Sequence, residues 1–506
     1  MGLFLEMFTV LVMAVFLQGW LPLGCLEEER AALFQLKDAF NYPNGTSLPS
    51  WRKGDIHCCS WENVECNSST GRVIALNLWS LSNHKQGDWY FNTSLFLPFQ
   101  ELNDLSLWDN RIAGLVEKKG SYELQQLSKL KYLDLRYNRF NNSILSSIVG
   151  FSSLKSLYLS YNRLEGLIDF KESLSTLKVL DLSGNNINKL VASRGSSNLY
   201  LRLNHITTYG SSFQLLQSLG AFPYLTKLDL SDNNFRGRIL GDELQNLSSL
   251  QRLYLDGCSL DEHSLHKLGA LSSLKLLSLS RVSGIIPYQD FLDLKNLKYL
   301  DLSSNTFNNS IFQTINKGEI PPKIGNLSMI KVLNLSHNSL TGPIPPTFSR
   351  LKEIESLDLS YNKLDGEIPP QLTKLFFLEF FNVAHNNLSG KTPARVAQFA
   401  TFEESCYKDN PFLCGQPLSK VCGAAMSPSP TPTLTTNEDN SGFMDMDVFY
   451  VTFGVAYIMV LLVIGAVLYI NPYWRRAWFY FIEVSSNNCY YFLVDNIPIL
   501  SKFGFS

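Results

Sequence analysis

The sequence has little charge. Of its 506 residues 17% are charged, and 43 Lys and Arg against 45 Asp and Glu leave a net charge of -2. That charged fraction lies below the roughly 25% of ordinary soluble domains, so neutral polar side chains must supply the surface polarity. Without an excess of positive charge there is no electrostatic reason to expect a nucleic-acid partner. The 45% of hydrophobic residues excludes a disordered chain.

The sequence also lacks the signatures of common catalytic sites. It contains no His-Glu-x-x-His, no Gly-x-Ser-x-Gly and neither the His-Arg-Asp nor the Asp-Phe-Gly of a kinase. Its 7 His residues lie mostly in loops or repeat positions, such as His337 and His385, without the paired spacing of metal ligands. The sequence therefore predicts no catalytic residues, no cofactor and no metal site.

Long hydrophobic runs are few, and the first lies near the N-terminus. Residues 8–17 are uncharged and apolar, and small residues follow before Cys25. This pattern predicts a cleaved secretory signal over residues 1–24, because a bilayer span needs about 20 apolar residues. An uncleaved anchor is the alternative, since Glu6 stands where a basic residue is usual.

The second run, residues 448–470, contains no charge. At about 1.5 Å per residue it reaches about 34 Å, which suits a single transmembrane helix; a buried core helix is the alternative. An acidic linker over 423–447 precedes it, and Arg475 and Arg476 follow it. We therefore expect a plasma-membrane protein with its N-terminal domain outside the cell and the tail 471–506 in the cytoplasm.

One pattern, L-x-x-L-x-L-x-x-N-x-L, recurs between residues 102 and 388. A weaker copy starts at Leu274, residues 73–78 look like an opening strand, and residues 199–206 fill the place of a hidden copy. Together these give about thirteen units in register. The clear copies begin at Leu102, Leu130, Leu154, Leu177, Leu225, Leu250, Leu297, Ile330, Ile354 and Leu378.

The spacing has a direct physical meaning. Alternating leucines predict a short strand with one buried face, and no unit alone could bury that face, so the units must stack into one core. The Asn that follows each strand can satisfy buried backbone groups where the chain turns inward. Cys258 takes this position in one unit, where we expect a buried thiol rather than a redox site.

Several units continue as Gly-x-Ile-Pro after the Asn, and a variant contains Thr. These segments are 284–287, 342–345, 366–369 and 390–393. In these residues the sequence resembles the plant extracellular leucine-rich repeat family, and residues 326–346 and 356–370 resemble the C-terminal repeats of plant receptor-like proteins. The resemblance implies an α/β fold, a leucine-rich repeat solenoid over residues 71–400 that forms a right-handed superhelix with a parallel β-sheet on its concave face, plus one transmembrane helix.

Cysteines cluster at the two ends of this solenoid, where the apolar core needs closing. Four of them lie in an N-terminal cap over residues 25–70 and allow three pairings. The resemblance implies the pairs Cys25 with Cys58 and Cys59 with Cys66. In a C-terminal cap over residues 401–422 we expect Cys414 to pair with Cys422, which leaves Cys406 odd.

Candidate N-glycosylation sites follow from the Asn-x-Ser/Thr pattern of a secreted chain. Asn334 matters most, because it lies between two strand leucines and a glycan there would block part of the concave face. An unmodified Asn334 is equally compatible with the sequence. The candidate positions are Asn44, Asn67, Asn92, Asn141, Asn246, Asn308, Asn326, Asn334 and Asn387.

Candidate ligand contacts are the strand positions that depart from the bland Asp-Leu-Ser filler. Trp108, Arg136 and Tyr158 occur in successive units, and strands about 4.8 Å apart would bring them together. Aromatic and Arg side chains dominate binding energy at interfaces, although ordinary solvated variation is an equal alternative. The second candidate group is Tyr254, Asp256 and Arg281.

The resemblance implies a receptor that has no kinase domain, binds an extracellular peptide or protein and signals through a partner receptor kinase. The span lacks the Gly-x-x-x-Gly pattern that often pairs helices. Cys489 in the tail is expected to be a free thiol, with acylation as the alternative. Asn305 and Asn338 are too close in sequence for the usual non-repeat island, so a truncated decoy receptor is one alternative. A membrane-anchored inhibitor of secreted wall-degrading enzymes is another.

Overall fold

The computed structural model describes residues 25–422 apart from short internal segments. Those segments are 43–44, 83–86, 117–125, 149–150, 171–175, 192–197, 207–213, 284–288, 290–291 and 306–317. The predicted signal at 1–24, the linker at 423–447, the apolar run at 448–470 and the tail lie outside the described residues, as do Asn44 and Asn308. Within the part that is described, no helix has the length and hydrophobicity of a membrane span.

A fourteen-stranded sheet organises the described chain. Its first strand, Val64–Cys66, pairs antiparallel with the second, and the thirteen strands that follow Val64–Cys66 are parallel, one for each predicted unit. The parallel strands are Val73–Asn77, Asp104–Ser106, Tyr132–Asp134, Ser156–Tyr158, Val179–Asp181, Leu199–Arg202, Leu225–Asp229, Arg252–Tyr254, Leu276–Ser278, Tyr299–Asp301, Val332–Asn334, Ser356–Asp358 and Phe380–Asn382.

The register places the repeat leucines in one continuous core. Leu105 lies opposite Leu133, which lies opposite Leu157, and all three side chains are buried. The residues on either side of each central leucine point to the opposite face of the sheet, because side chains alternate along a strand. That opposite face, which we call the open face, carries the candidate ligand contacts.

The repeat asparagines form a buried hydrogen-bonded ladder. The Asn138 Nδ2 donates to the carbonyl oxygens of Leu107 at 2.9 Å and Leu135 at 3.1 Å, and its Oδ1 accepts from the backbone N–H groups of Asn110 and Ile112. One side chain thus satisfies backbone groups of its own turn and of the preceding unit, groups that would be costly to bury unpaired. This is the role that the sequence predicts for the Asn.

Two irregular places in the sequence leave the sheet continuous. The hidden unit supplies the strand Leu199–Arg202, which pairs with a neighbour on each side. Across the long interval between Asn305 and Asn338, the Asn305 backbone N–H still donates to the Asn338 Oδ1 at 3.1 Å.

Cys258 replaces Asn and is buried, and its Sγ donates to the Leu230 carbonyl at 3.2 Å. Burial raises the pKa of the Cys258 thiol to about 12, as expected for a structural position.

The return path of the chain varies along the sheet. Short parallel strand pairs cover some units: Trp89–Asn92 with Ile112–Val116, Glu165–Asp169 with Asn186–Val191, Thr341–Pro343 with Lys363–Asp365, and Ser389–Lys391 with Phe412–Cys414. Single-turn helices cover others, at Ile144–Ile148, Gln214–Ser218 and Leu240–Leu244. In the C-terminal units 3-10 turns take this place, at Pro322–Asn326, Pro346–Arg350 and Pro370–Lys374.

The N-terminal cap closes the first strand with the helix Glu27–Asn41 and two disulfides. The disulfides join Cys25 to Cys58 and Cys59 to Cys66, the pairs that the family resemblance implies. The fully buried Glu29 accepts from the Arg72 Nε at 2.7 Å and from the Val73 backbone N–H at 3.2 Å. This buried ion pair fastens the helix to the opening strand of the repeats.

The C-terminal cap extends the repeat ladder before a disulfide ends it. Asn410 donates from its Nδ2 to the Val383 carbonyl at 2.9 Å and accepts from the Leu388 N–H, so it forms one more rung of the asparagine ladder. The disulfide joins Cys414 to Cys422, and Cys406 has no disulfide partner within the described residues.

Candidate ligand-binding surface

The open face presents three rows of side chains that run across the strands. In the unit of the strand Tyr132–Asp134, the first row holds Tyr132, the second Asp134 and the third Arg136. Backbone pairing sets the first two rows, and the third lies two residues further along the chain. In the preceding unit the same rows hold Asp104, Ser106 and Trp108.

A concavity of about 400 Å³ lies on the open face at its N-terminal end. The Trp79 and Trp108 rings are 5.5 Å apart, and Trp108 also makes an edge contact with Tyr137 at 6.0 Å. The Trp108 Nε1–H is buried and has no hydrogen-bond partner among the described residues. The side chains that matter for its chemistry are Glu65, Trp79, Asp104, Trp108, Tyr132 and Arg136.

Arg136 connects the three residues of the first predicted group. Its Nε and Nη2 donate to the two carboxylate oxygens of Asp134 at 2.9 and 2.6 Å, and its guanidinium lies 5.1 Å from the centre of the Tyr158 ring. The hydrogen bond with Asp134 raises the pKa of Arg136, which therefore stays charged. Tyr158 lies in the second row, so it meets Arg136 diagonally, while Trp108 and Arg136 share the third row and line the same concavity.

Asp104, which lines this concavity, has a raised pKa. Burial, together with the charges of Glu65 and Asp134, raises the pKa of Asp104 to about 6. Burial also raises the pKa of the neighbouring Tyr132, with Asp134 as the second cause. A carboxyl group with a raised pKa at the edge of an aromatic concavity is a candidate for contact with a ligand.

The second predicted group comes together only in part. Tyr254 lies in the second row, 6.4 Å from Tyr200, and Asp256 accepts from the Ser278 Oγ at 2.6 Å. Arg281, in contrast, occupies the turn after its strand, where its φ of 53° is left-handed and its side chain is exposed. The expectation that Arg281 groups with Tyr254 and Asp256 is not met, because the residue before the Asn position leaves the strand rows.

Sequence reasoning missed a cluster between these two groups. The Arg202 guanidinium lies between Asp181 and Asp229, at 3.5 and 3.4 Å, and the Tyr200 hydroxyl donates to Asp229 at 3.3 Å. Tyr200 and Arg202 belong to the degenerate hidden unit, whose weak repeat pattern concealed their row positions. Reading every second residue of that unit would have found them, as it would have found Trp79 and Tyr132.

The residue before each Asn adopts a left-handed conformation and several of these residues stack. Tyr137 and Tyr161 stack with ring centres 4.5 Å apart, and Tyr361 stacks on His337 at 4.2 Å and on His385 at 4.0 Å. The Nε2 of His385 lies 3.2 Å from an Asp409 carboxylate oxygen. These ladders line one edge of the sheet in both halves of the described chain.

The structure also places most of the candidate glycosylation sites. Asn92, Asn141, Asn246, Asn326 and Asn387 are exposed, and Asn67 is half-buried. Asn334 is half-buried in the second row of the open face, where its Oδ1 accepts from the backbone N–H and the hydroxyl of Ser336 at 3.0 and 2.8 Å. In the segments that are described, no group of three or more His, Cys, Asp or Glu residues could hold a metal ion.

Family models match most of this architecture. The model described as a leucine-rich repeat N-terminal domain matches residues 26–67, and leucine-rich repeat models match 100–164, 173–189, 224–247, 296–327 and 319–364. The chain therefore carries a leucine-rich repeat N-terminal domain and leucine-rich repeats at these residues. Its curated relatives are plant receptor-like proteins, so the resemblance seen in the sequence is confirmed.

Two of these relatives show the extent of the match. Cuscuta receptor 1 of Solanum lycopersicum is 36% identical over 418 residues, which cover 63% of this chain and 36% of that protein. Receptor-like protein 9a of Arabidopsis thaliana is 40% identical over 183 residues, which cover 35% of this chain and 19% of that protein. The matched part of the chain thus spans about a third or less of the length of these relatives.

Solved leucine-rich repeat ectodomains are similar over much of the chain. That of the Arabidopsis receptor kinase HAESA, solved with a peptide hormone, shares 19% identity over 78% of this chain and 99% of its own, with a TM-score of 0.28. That of the Arabidopsis receptor kinase GASSHO1 shares 20% identity over 72% of this chain and 65% of its own, with a TM-score of 0.30. The fold assignment rests on the repeats and the sheet rather than on these scores.

Proposed function

We propose that this chain is a cell-surface receptor without an enzyme domain, which binds an extracellular peptide or protein on its open face. The observation that carries the proposal is the concavity lined by Trp79, Trp108, Tyr132 and Arg136, with the Tyr158 ring beside the Arg136 guanidinium. Aromatic and Arg side chains clustered on a rigid scaffold are typical of binding hot spots. The peptide hormone in the HAESA structure supports a ligand of this class.

The second part of the proposal is that the chain acts through a partner. We propose that residues 448–470 anchor it in the plasma membrane and that a receptor kinase in the same membrane carries the signal onward. Solved complexes such as that of BIR3 with SERK2 support pairing between ectodomains of this class.

The test of ligand binding is the double substitution Trp108→Ala with Tyr254→Ala. We expect the variant to reach the cell surface in normal amounts but to lose ligand capture by about 100-fold, as hot-spot truncations do. Normal capture by a correctly delivered variant would refute binding at this face.

The test of signalling is deletion of residues 471–506. A receptor that works through a kinase partner should keep its ligand and lose its downstream response, and affinity capture of the intact chain should recover a kinase. A membrane-anchored enzyme inhibitor would keep its full effect without the tail, which separates the two functions.

A further inference from the structure

Two arginines on the open face, Arg136 and Arg202, are each held by carboxylates. Asp134 holds Arg136, whose guanidinium also faces the Tyr158 ring at 5.1 Å. Asp181 and Asp229 hold Arg202, and the Tyr200 hydroxyl bonds to the same Asp229. In both places a guanidinium is held by a carboxylate of the second row beside a tyrosine. The face therefore already contains two examples of how it accommodates a cation.

Asp104 and Glu65 break this pairing. Neither carboxylate has an ion pair or a side-chain hydrogen bond among the described residues, and the charges that act on Asp104 come from Glu65 and Asp134, both negative. The nearby Arg136 does not compensate Asp104, because both of its bonding nitrogens are directed at Asp134. Negative charge without an internal partner is concentrated at this end of the face.

The surroundings of these two carboxylates are aromatic and concave. Trp79, Trp108 and Tyr132 line the same concavity of about 400 Å³, and Trp79 is 46% exposed. A cation over an aromatic face gains from the ring quadrupole, and the gain grows when the ring is partly shielded from water. The volume is within the range of about 300 to 1,000 Å³ that is usual for binding pockets.

We propose that this concavity binds a positively charged side chain, arginine or lysine, of the extracellular ligand, with Asp104 and Glu65 as the counter-charges and Trp79 and Trp108 as the aromatic walls. The inference rests on the proposed receptor function and specifies the ligand chemistry at one end of its binding face. The cation pairs with carboxylates of the first row, whereas Arg136 and Arg202 pair with carboxylates of the second row.

The probes that test this site are short peptides titrated into the purified full-length chain by calorimetry at low salt. Acetyl-Gly-Arg-Gly-amide and its lysine analogue carry the charge, and the citrulline analogue keeps the shape of arginine without the charge. We expect the two cationic peptides to bind and the citrulline peptide to bind about tenfold more weakly or not at all. Equal binding of the arginine and citrulline peptides, or no binding of either cationic peptide, would overturn the proposal.

Two variants locate the binding on the face. Asp104→Asn should weaken the arginine peptide about tenfold, whereas the control Asp301→Asn, on the open face of a distant unit, should leave it unchanged. An unfolding curve of Asp104→Asn that matches the parent or exceeds it in stability shows that the fold is intact. If both Asp variants lower the affinity equally, the binding is general surface electrostatics and the site is refuted.

The pH dependence supplies an independent readout. Because Asp104 is protonated at low pH, affinity for the arginine peptide should fall as the pH drops through about 6, with Glu65, Asp134, Arg136 and Tyr132 as the other titratable groups around it. The Asp104→Asn variant should lose this dependence, and retention of the same dependence would contradict the assignment. If the peptides fail while Trp108→Ala with Tyr254→Ala still abolishes capture of the natural ligand, this inference fails and the receptor proposal stands.

Discussion

The repeats before and after residues 306–317 share one asparagine ladder, but they differ in their return paths and in the third row of the open face. In the C-terminal units Asn338, Asn362 and Asn386 recur at a fixed spacing, each preceded in the chain by nearly identical 3-10 turns, and the third row of the open face holds Ser336, Ser360 and Ala384. In the N-terminal units the return path changes from unit to unit, and the third row begins with Trp79, Trp108 and Arg136. We call the three units after residues 306–317 the uniform half and the ten units before them the variable half, and we propose that the uniform half acts as a scaffold and the variable half carries the ligand-binding surface.

The largest loss of stability is expected in the asparagine ladder, which the two halves share. Asn138→Ala should lower the free energy of unfolding by about 3 to 5 kcal/mol, because it leaves several buried backbone groups unpaired. Asn362→Ala in the uniform half should cost a similar amount, since its Nδ2 and Oδ1 make equivalent bonds. Urea unfolding followed by circular dichroism measures both, and a clear difference between the two variants would show that the ladder is not shared.

A smaller loss of stability is expected from removing the stacked rings along the edge of the sheet, and this loss should differ between the two halves. Tyr361→Ala removes contacts on both ring faces, with His337 at 4.2 Å and His385 at 4.0 Å, and should cost about 1 to 2 kcal/mol. Tyr161→Ala should cost less, because Tyr161 stacks closely only on Tyr137 and lies 6.1 Å from His205. Alanine keeps the left-handed backbone that both tyrosines adopt, so the unfolding curves compare ring contacts alone. An equal or reversed order would contradict this difference.

The stability of the protein should depend on pH because of Asp104, which lies in the variable half. The folded pKa of Asp104 is raised from 3.8 to about 6, so the folded state binds the proton more tightly than the unfolded state does. Stability contributed by the protonated form is therefore present below about pH 4 and lost as the pH rises through about 6, by about 1 kcal/mol after allowance for solvent screening. Asp104→Asn should remove this loss, and thermal unfolding across that range should show a flatter profile than the parent. An unchanged profile would mean that the charge of Asp104 is compensated in the folded protein.

The smallest effect concerns thiol reactivity and leaves stability unchanged. Cys258 is buried in the variable half and its pKa is raised to about 12, so iodoacetamide should not label it in the native protein at about pH 8. Cys406 in the C-terminal cap is half-buried and should be labelled first. Peptide mapping after timed labelling measures both, and rapid labelling of Cys258 would show that the middle of the sheet opens readily.

The sequence predicts the ladder and the core well, for a physical reason. Leucine alternation and the Asn position are each repeated many times, and both are dictated by burial of the same groups in every unit. The thirteen parallel strands and the Asn138 hydrogen bonds follow from that repetition. Even the hidden unit at 199–206 is found by spacing alone, because a missing rung would break the sheet.

The open face is harder to predict because it depends on register rather than on residue type. The letters Asp-Leu-Ser occur at 104–106 and at 181–183, yet Asp104 lies in the first row and Asp181 in the second. Of the two, only the second-row Asp181 forms an ion pair with an arginine, Arg202, so identical letters have different electrostatic surroundings. Arg281 is a second example of a position that residue type alone does not predict. It lies one residue beyond the third row and therefore falls in the turn.

The most direct test of the central claim compares one aromatic pair from each of the two halves. Trp108→Ala with Tyr254→Ala removes aromatic side chains of the variable half, and Tyr361→Ala with Phe380→Ala removes exposed aromatic side chains of the uniform half. Quantitative mass spectrometry of the peptides captured by each full-length variant should show loss of ligand, by about 100-fold, for the first pair alone. Loss with the second pair and retention with the first would contradict the account.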